Sequence, residues 1–165
     1  MATSKLRRFL LPDMNRRFIF RLLLVALTAV VVFTQILIPL RIEGRSMEPT
    51  YDDGGFNLCW RGRYLMSEPE RGDVVVIRFA GRRVTLLKRI IGLAGDTVEF
   101  RNGSLFVNGQ WVKEPYVRMP SDWNLAARTV EPGKVYVVGD NRSVALDRHH
   151  LGQVEQERIM GGVVW

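Results

Sequence analysis

Apolar residues run almost without interruption from Phe18 to Ile38, FIFRLLLVALTAVVVFTQILI, and no other stretch of the chain has such a run. As a helix these 21 residues would span about 30 Å, the thickness of a bilayer's hydrocarbon core. Arg21 lies near the first edge, where its long side chain can snorkel to the interface; Thr28, Thr34 and Gln35 can sit close to helix backbone. The pattern predicts one transmembrane helix over 18–38, closed by Pro39. A cleaved secretory signal also opens on positive charge, but its apolar core is shorter and ends at a small-x-small site. Here Pro39-Leu40-Arg41-Ile42-Glu43 follows, so a retained anchor is expected.

Beyond the anchor the period changes. Short β-branched runs alternate with glycine, and no helical period of any length appears. Asp73 to Phe79 (DVVVIRF) reads as a strand, the turn Ala80-Gly81-Arg82 follows, and Val84 to Ile91 (VTLLKRII) reads as its antiparallel partner. Thr97 to Arg101, Ser104 to Asn108 and Gln110 to Val112 are separated by Asn102-Gly103 and Asn108-Gly109, the strongest short hairpin signals, and predict a three-stranded meander. Lys134 to Val138 is a further strand ending at the turn Gly139-Asp140-Asn141. Ser121 to Thr129 is polar, aromatic and irregular and reads as loop. A mainly β domain follows the anchor.

Charge alters this picture only at the N-terminus. The chain carries +7, which would ordinarily raise nucleic acid as a partner. Residues 1–21 hold six basic residues against one acidic, +5, leaving eighteen basic against sixteen acidic, +2, for the body. A nearly neutral body without a basic, aromatic-interleaved stripe excludes nucleic-acid binding. The basic residues ahead of the span, against Arg41 and Arg45 just after it, predict a cytoplasmic N-terminus and a domain on the outer face. Cys59 is the single cysteine, so no intrachain disulfide forms, and adjacent His149 and His150 do not supply spaced zinc ligands. No metal or other cofactor is expected.

Two positions carry candidate chemistry. In Val84 to Ile91 alternation puts Val84, Leu86, Lys88 and Ile90 on one face and Thr85, Leu87, Arg89 and Ile91 on the other. A lysine among aliphatics either guards a sheet edge with its head in water or, if buried, loses its proton readily and serves as a base. Arg89 cannot do so, because a guanidinium keeps its proton. Ser46 lies in the Gly- and Pro-bracketed segment Gly44-Arg45-Ser46-Met47-Glu48-Pro49-Thr50, where Pro49 confines Glu48 to extended backbone. A serine needs a neighbouring base to act as a nucleophile. Lys88 is one candidate; a triad of Ser46 with His149 and Asp147 is another, although Asp147, two residues from His149, would more easily serve the local turn.

Four stretches together resemble the bacterial type I signal peptidase family in type, order and spacing. Gly44 to Thr50 is similar to its nucleophile box Gly-x-Ser-Met-x-Pro-Thr, and Arg71-Gly72-Asp73-Val74-Val75 to its Arg-Gly-Asp box. Lys88 to Asp96 (KRIIGLAGD) resembles its lysine box, and Gly139-Asp140-Asn141-Arg142 the start of its last box. The resemblance implies a Ser/Lys dyad in which Ser46 attacks the scissile carbonyl and neutral Lys88 takes its proton. The oxyanion would be held by the Ser46 backbone N–H, helped by the loop around Gly44, with Met47, Pro49, Asp140, Asn141, Arg142, Ser143 and Asp147 in support. The fold it implies is a coiled antiparallel β-sheet domain over 40–165 with a short β insertion at about 96–131, behind a basic segment 1–17 and the span 18–38. Secretory preproteins would be the substrates, cut after small residues at A-x-A-like sites, at the outer face of a bacterial cytoplasmic membrane whose lipid is a further partner.

The last box departs from the family at two positions. Ala145 replaces a serine that in relatives hydrogen-bonds the lysine, and His149 stands where a final arginine would be. Ser143, the nearest hydroxyl, or a water is expected to orient Lys88 instead. The same departures motivate a rival: an inactive, membrane-anchored β-domain that binds envelope proteins. A dedicated Ser/Lys peptidase for one conjugation or pilus-like subunit is the alternative among enzymes.

Overall fold

The computed structural model describes residues 15–65, 67–80, 84–148 and 152–164. His149 and His150, residues 1–14 and Gly81-Arg82 of the expected hairpin turn lie outside the described residues. The chain divides into two units at Ile36 and Leu37. The first is α1, Arg16–Val31, continued by a π-helical turn, Val32–Ile36. Asn15 caps it by accepting from the Phe18 N–H at 2.8 Å, supplying one of the acceptors that a helix start lacks. None of its residues is buried within the protein, and Arg16–Ile36 is long and apolar enough to cross a membrane. Thr28 and Thr34 donate their hydroxyls to the Leu24 and Val30 carbonyls, at 2.8 and 2.6 Å, which satisfies them without water.

The helix stops short of the expected Ile38 because Leu37–Arg41 forms β1 and pairs with β2, Phe56–Trp60, setting Leu37 opposite Trp60 and Ile38 opposite Cys59. Apolar composition alone does not separate a membrane helix from an apolar strand that continues it. The second unit therefore begins at Leu37 rather than at residue 40. Pro39 is accommodated because β1 is an edge strand.

The remaining strands are β3 (Val74–Ala80), β4 (Val84–Gly92), β5 (Thr97–Arg101), β6 (Ser104–Val107), β7 (Gln110–Trp111), β8 (Leu125–Thr129), β9 (Lys134–Val138), β10 (Gly152–Glu155) and β11 (Ile159–Val163). They build a seven-stranded sheet, β1-β2-β11-β3-β4-β9-β10, and a four-stranded sheet, β7-β6-β5-β8, with antiparallel pairings throughout. The fold is mainly β, as the period of the sequence predicts. The β3–β4 hairpin and the meander β5-β6-β7 form where expected. At the Asn-Gly turns, Asn102 and Asn108 take φ of 47° and 53°, the left-handed region that this dipeptide tolerates. Gly103 could be nothing else: a Cβ there would lie 1.8 Å from the Ser121 carbonyl oxygen.

A further expectation fails. Leu125–Thr129, read as loop, is β8 and pairs with β5 along its outer edge. Four of its five residues face solvent, so it shows no alternation to read. β1, β2, β10 and β11 are likewise beyond what the pattern predicts: β2 turns Asn57 and Cys59 inward, and β11 carries Gly161-Gly162.

β4 and β9 serve two cores at once. Ile90, Val135 and Val137 pack with Val75 and Ile77, while Ile91, Tyr136 and Val138 pack with Val98, Phe100, Leu105 and Trp123 of the four-stranded sheet's side. Each such buried aliphatic contributes roughly 1.5–3 kcal/mol. A strand clamped on both faces is a rigid platform, and Lys88 lies on it.

Candidate active site

Gly44 enters a 3₁₀ turn, Arg45–Met47, with φ of 92°, a conformation in which a side chain is strained. The turn is fastened below by Met47, which is fully buried, and by the Tyr51 N–H, which donates to the Met47 carbonyl at 3.0 Å. Ser46 rides on this turn beside β4. Lys88 Nζ stands 2.7 Å from Ser46 Oγ, and the lysine is only 2% exposed. The alternation of β4 thus turns Lys88 inward rather than into water. Burial pushes its ammonium down from an ordinary 10.5 to about 8, against the opposing pull of the Asp140 carboxylate. Among the described residues Ser46 is the hydrogen-bond partner of Lys88.

Polar bonds tie the four motif stretches together around this pair. Asp140, fully buried, accepts from Arg89 Nε and Nη2 at 2.8 and 2.6 Å and from Thr50 Oγ1 at 2.6 Å. Arg89 Nη1 donates to the Gly72 carbonyl at 2.7 Å, and its guanidinium lies 3.9 Å from the Tyr116 ring centroid. Arg71 Nη2 donates at 2.8 Å to Asp96, which also accepts from the Leu93 N–H. Asn141 donates its backbone N–H to the Ser46 carbonyl and its side-chain Nδ2 to the Arg45 carbonyl, each at 3.0 Å. Arg142 is fully buried and forms a fork with Glu114, at 3.0 and 2.6 Å.

The structure departs from the expected roles at three positions. Ser143 does not orient Lys88; its hydroxyl donates to Asn141 Oδ1 at 2.6 Å, because a turn places the two side chains of 141 and 143 together. The Gly44 N–H is not offered to an oxyanion, since it donates to Asp53 Oδ1 at 2.8 Å; Gly44 shapes the loop instead. Asp147 is exposed on the 3₁₀ turn Leu146–Arg148, and among the described residues no hydrogen bond joins it to Ser46 or Lys88. Pro49 follows a cis peptide bond at the end of the Ser46 loop. Glu114 and Tyr116 were not singled out from sequence, and Thr50 and Arg89 were named there without a role toward Asp140. Arg89 had a signal, because a carboxylate destined for burial at Asp140 needs a cation and β4 supplies one beside Lys88; Glu114 and Tyr116 had none.

Beside Ser46 lies a groove of about 290 Å³, lined by residues 40–44 and 85–87 together with Met47 and Val76. Thr85 to Leu87 pair with β3 on one edge, whereas β9 joins β4 at Arg89 and beyond.

A family model described as signal peptidase, peptidase S26, matches residues 15–165. The chain belongs to this signal peptidase family. A signal peptidase I of Bacillus licheniformis is 35% identical over 136 residues, 74% of this chain and 72% of that protein. Signal peptidase I V of Bacillus subtilis is 32% identical over 163 residues, 90% of this chain and 96% of the relative. A crystal structure of a signal peptidase I from Enterococcus faecalis superposes with a TM-score of 0.48 at 29% identity, covering 58% of this chain and 97% of that one. As a signal peptidase the protein is a serine peptidase, and its family's reaction is removal of signal peptides from secretory preproteins.

A signal peptidase whose base is Lys88 needs that lysine neutral. Its kcat/KM on a precursor is expected to rise with pH, tenfold per unit well below 8, and to level off above it. A profile flat between pH 6 and 9 would exclude Lys88 as the titrating base.

Proposed function

We propose that the protein is a membrane-anchored endopeptidase that cuts preproteins after small residues, with Ser46 as nucleophile and Lys88 as its general base. The observation that carries this reading is the 2.7 Å approach of Lys88 Nζ to Ser46 Oγ at a buried lysine. Neutral Lys88 takes the hydroxyl proton as Oγ bonds to the scissile carbonyl carbon, and the resulting ammonium returns that proton to the leaving amine. Water then attacks the acyl-enzyme by the same route, with Lys88 again as base, and frees Ser46. The Ser46 N–H belongs to the first residues of its 3₁₀ turn, Arg45–Met47, whose donors lack a partner within the turn, and it is the donor proposed for the oxyanion.

The substrate lies extended in the groove, its backbone pairing with the edge of Thr85 to Leu87 that no described strand occupies. Subsites along this groove would take the small side chains of an A-x-A-like site. The helix Arg16–Ile36 anchors the second unit, Leu37–Trp165, with residues 97–129 as its β insertion and the basic N-terminus in the cytoplasm. Because Ser46 follows Ile36 by ten residues, the nucleophile stays within roughly 35 Å of the membrane boundary even along a fully extended chain. That tether confines enzyme and emerging cleavage site to one layer.

Purified protein in detergent is expected to cut a signal-bearing precursor at one bond, after the Ala at the third position of its A-x-A site. Changing that alanine to leucine is expected to slow cleavage at least about a hundredfold, since an overfilled pocket costs several kcal/mol. Persistent failure to cut any such precursor would favour the inactive binding module.

A further inference from the structure

We infer that Asn141 is a positioning residue that locks the oxyanion-binding peptide, acting on the Ser46 N–H through the Arg45 carbonyl. The inference rests on the proposed roles of Ser46 and its N–H. The bond between Arg45 and Ser46 is a trans peptide, so its carbonyl and its N–H point in opposite directions. Asn141 Nδ2 donates to that carbonyl at 3.0 Å, which turns the Ser46 N–H away from Asn141 and resists a peptide flip. The neighbouring Ser46 carbonyl is held from the same side by the Asn141 N–H at 3.0 Å.

The orientation of the Asn141 amide is itself determined. Ser143 presents a backbone N–H at 3.1 Å, which can only donate, so the atom it meets must be the amide oxygen. The amide nitrogen therefore faces the Arg45 carbonyl. The Ser143 hydroxyl, at 2.6 Å from the same oxygen, tightens this arrangement. Asn141 is itself 3% exposed, and its neighbours Asp140 and Arg142 are fully buried and ion-paired, so the clamp stands on rigid ground. Among the described residues the other donor to the Arg45 carbonyl is the Glu48 N–H at 3.2 Å, within the turn itself.

The test compares two inhibitors with one peptide sequence ending in the small residue before the cut. A C-terminal aldehyde forms an Oγ–C bond to Ser46, and its oxygen occupies the oxyanion position; the carboxamide binds without a bond. In full-length protein in detergent, Asn141→Ala is expected to weaken the aldehyde about 10- to 100-fold, with kcat falling alongside, and to change carboxamide affinity and KM less than about threefold. Ser143→Ala, which leaves the Nδ2 donor in place, is expected to weaken the aldehyde about threefold, and it decides the matter if Asn141→Ala does not fold. Equal loss for both inhibitors, or unchanged aldehyde affinity, overturns the clamp. Ser46→Ala serves as the control: aldehyde selectivity that survives it overturns the nucleophile assignment rather than the role of Asn141.

Discussion

Full-length protein carrying Lys88→Met is expected to lose cleavage by at least about 10³-fold and, at neutral pH, to become more stable. The two effects have one cause. Lys88 titrates near 8 in the fold against 10.5 in an open chain, so folding carries a cost of about 3 kcal/mol for burying the ammonium. Below pH 8 both states hold the proton and the whole cost stands. Between pH 8 and 10.5 the unfolded chain binds a proton that the folded chain has released, so wild-type stability rises with pH across that window. Methionine fills a similar volume without charge. Its gain is offset by about 1 kcal/mol for the lost bond to Ser46, leaving roughly 2 kcal/mol at pH 7. Thermal melts at pH 7 and pH 10.5 check this: the variant's advantage is expected at the lower pH and absent at the higher. A variant less stable at both would remove burial as the origin of the lysine's reactivity. Ser46→Ala is expected to match the loss of cleavage, because the dyad acts as a unit, but to show no pH-dependent stabilisation, since the buried lysine remains.

Lys88 also illustrates how far the sequence could be read. Its place on an alternating strand was legible, but alternation names a face and not what covers it. Burial was decided by the 3₁₀ turn of Ser46 packing onto β4, a contact between residues 42 apart that no local pattern encodes. The hairpins were legible for the opposite reason, because Asn102-Gly103 and Asn108-Gly109 set the backbone locally. β8 was not, since a strand paired on one edge and exposed on both faces keeps no period. β1 was hidden by its own hydrophobicity, which continued that of the helix. At the site, Ser46 and Lys88 were singled out through their motifs and lie 2.7 Å apart, whereas Ser143, expected to orient Lys88, bonds Asn141 because a turn spends side chains on near neighbours first. Glu114 lay beyond reach: it comes from the segment after β7 and meets Arg142 across 28 residues.

That pairing carries the second large effect. Glu114→Gln is expected to destabilise the full-length protein in detergent by about 3–5 kcal/mol, lowering its melting temperature by roughly 10 °C. Arg142 is fully buried, with its guanidinium 5.3 Å from the Phe100 ring and 5.9 Å from that of Trp123. Its Nε is committed to the Gly139 carbonyl at 2.8 Å, and both remaining nitrogens donate to Glu114. Glutamine preserves shape but removes the countercharge and sets an amide N–H₂ against guanidinium donors, leaving a buried cation uncompensated. Arg142→Met leaves the Glu114 carboxylate, among the described residues, with the Tyr116 hydroxyl alone, at 2.7 Å, and should cost a similar amount. The double variant Glu114→Leu with Arg142→Met is expected to be more stable than either single one, because a buried pair replaced by apolar groups leaves no orphan charge. Melts of wild type, the Glu114→Leu and Arg142→Met single variants and their double variant measure that coupling. Should the singles melt within about 3 °C of wild type, the pair holds shape and not charge. Arg142 directly follows Asn141, so this buried pair also sets how firmly the last motif can hold the turn that carries Ser46.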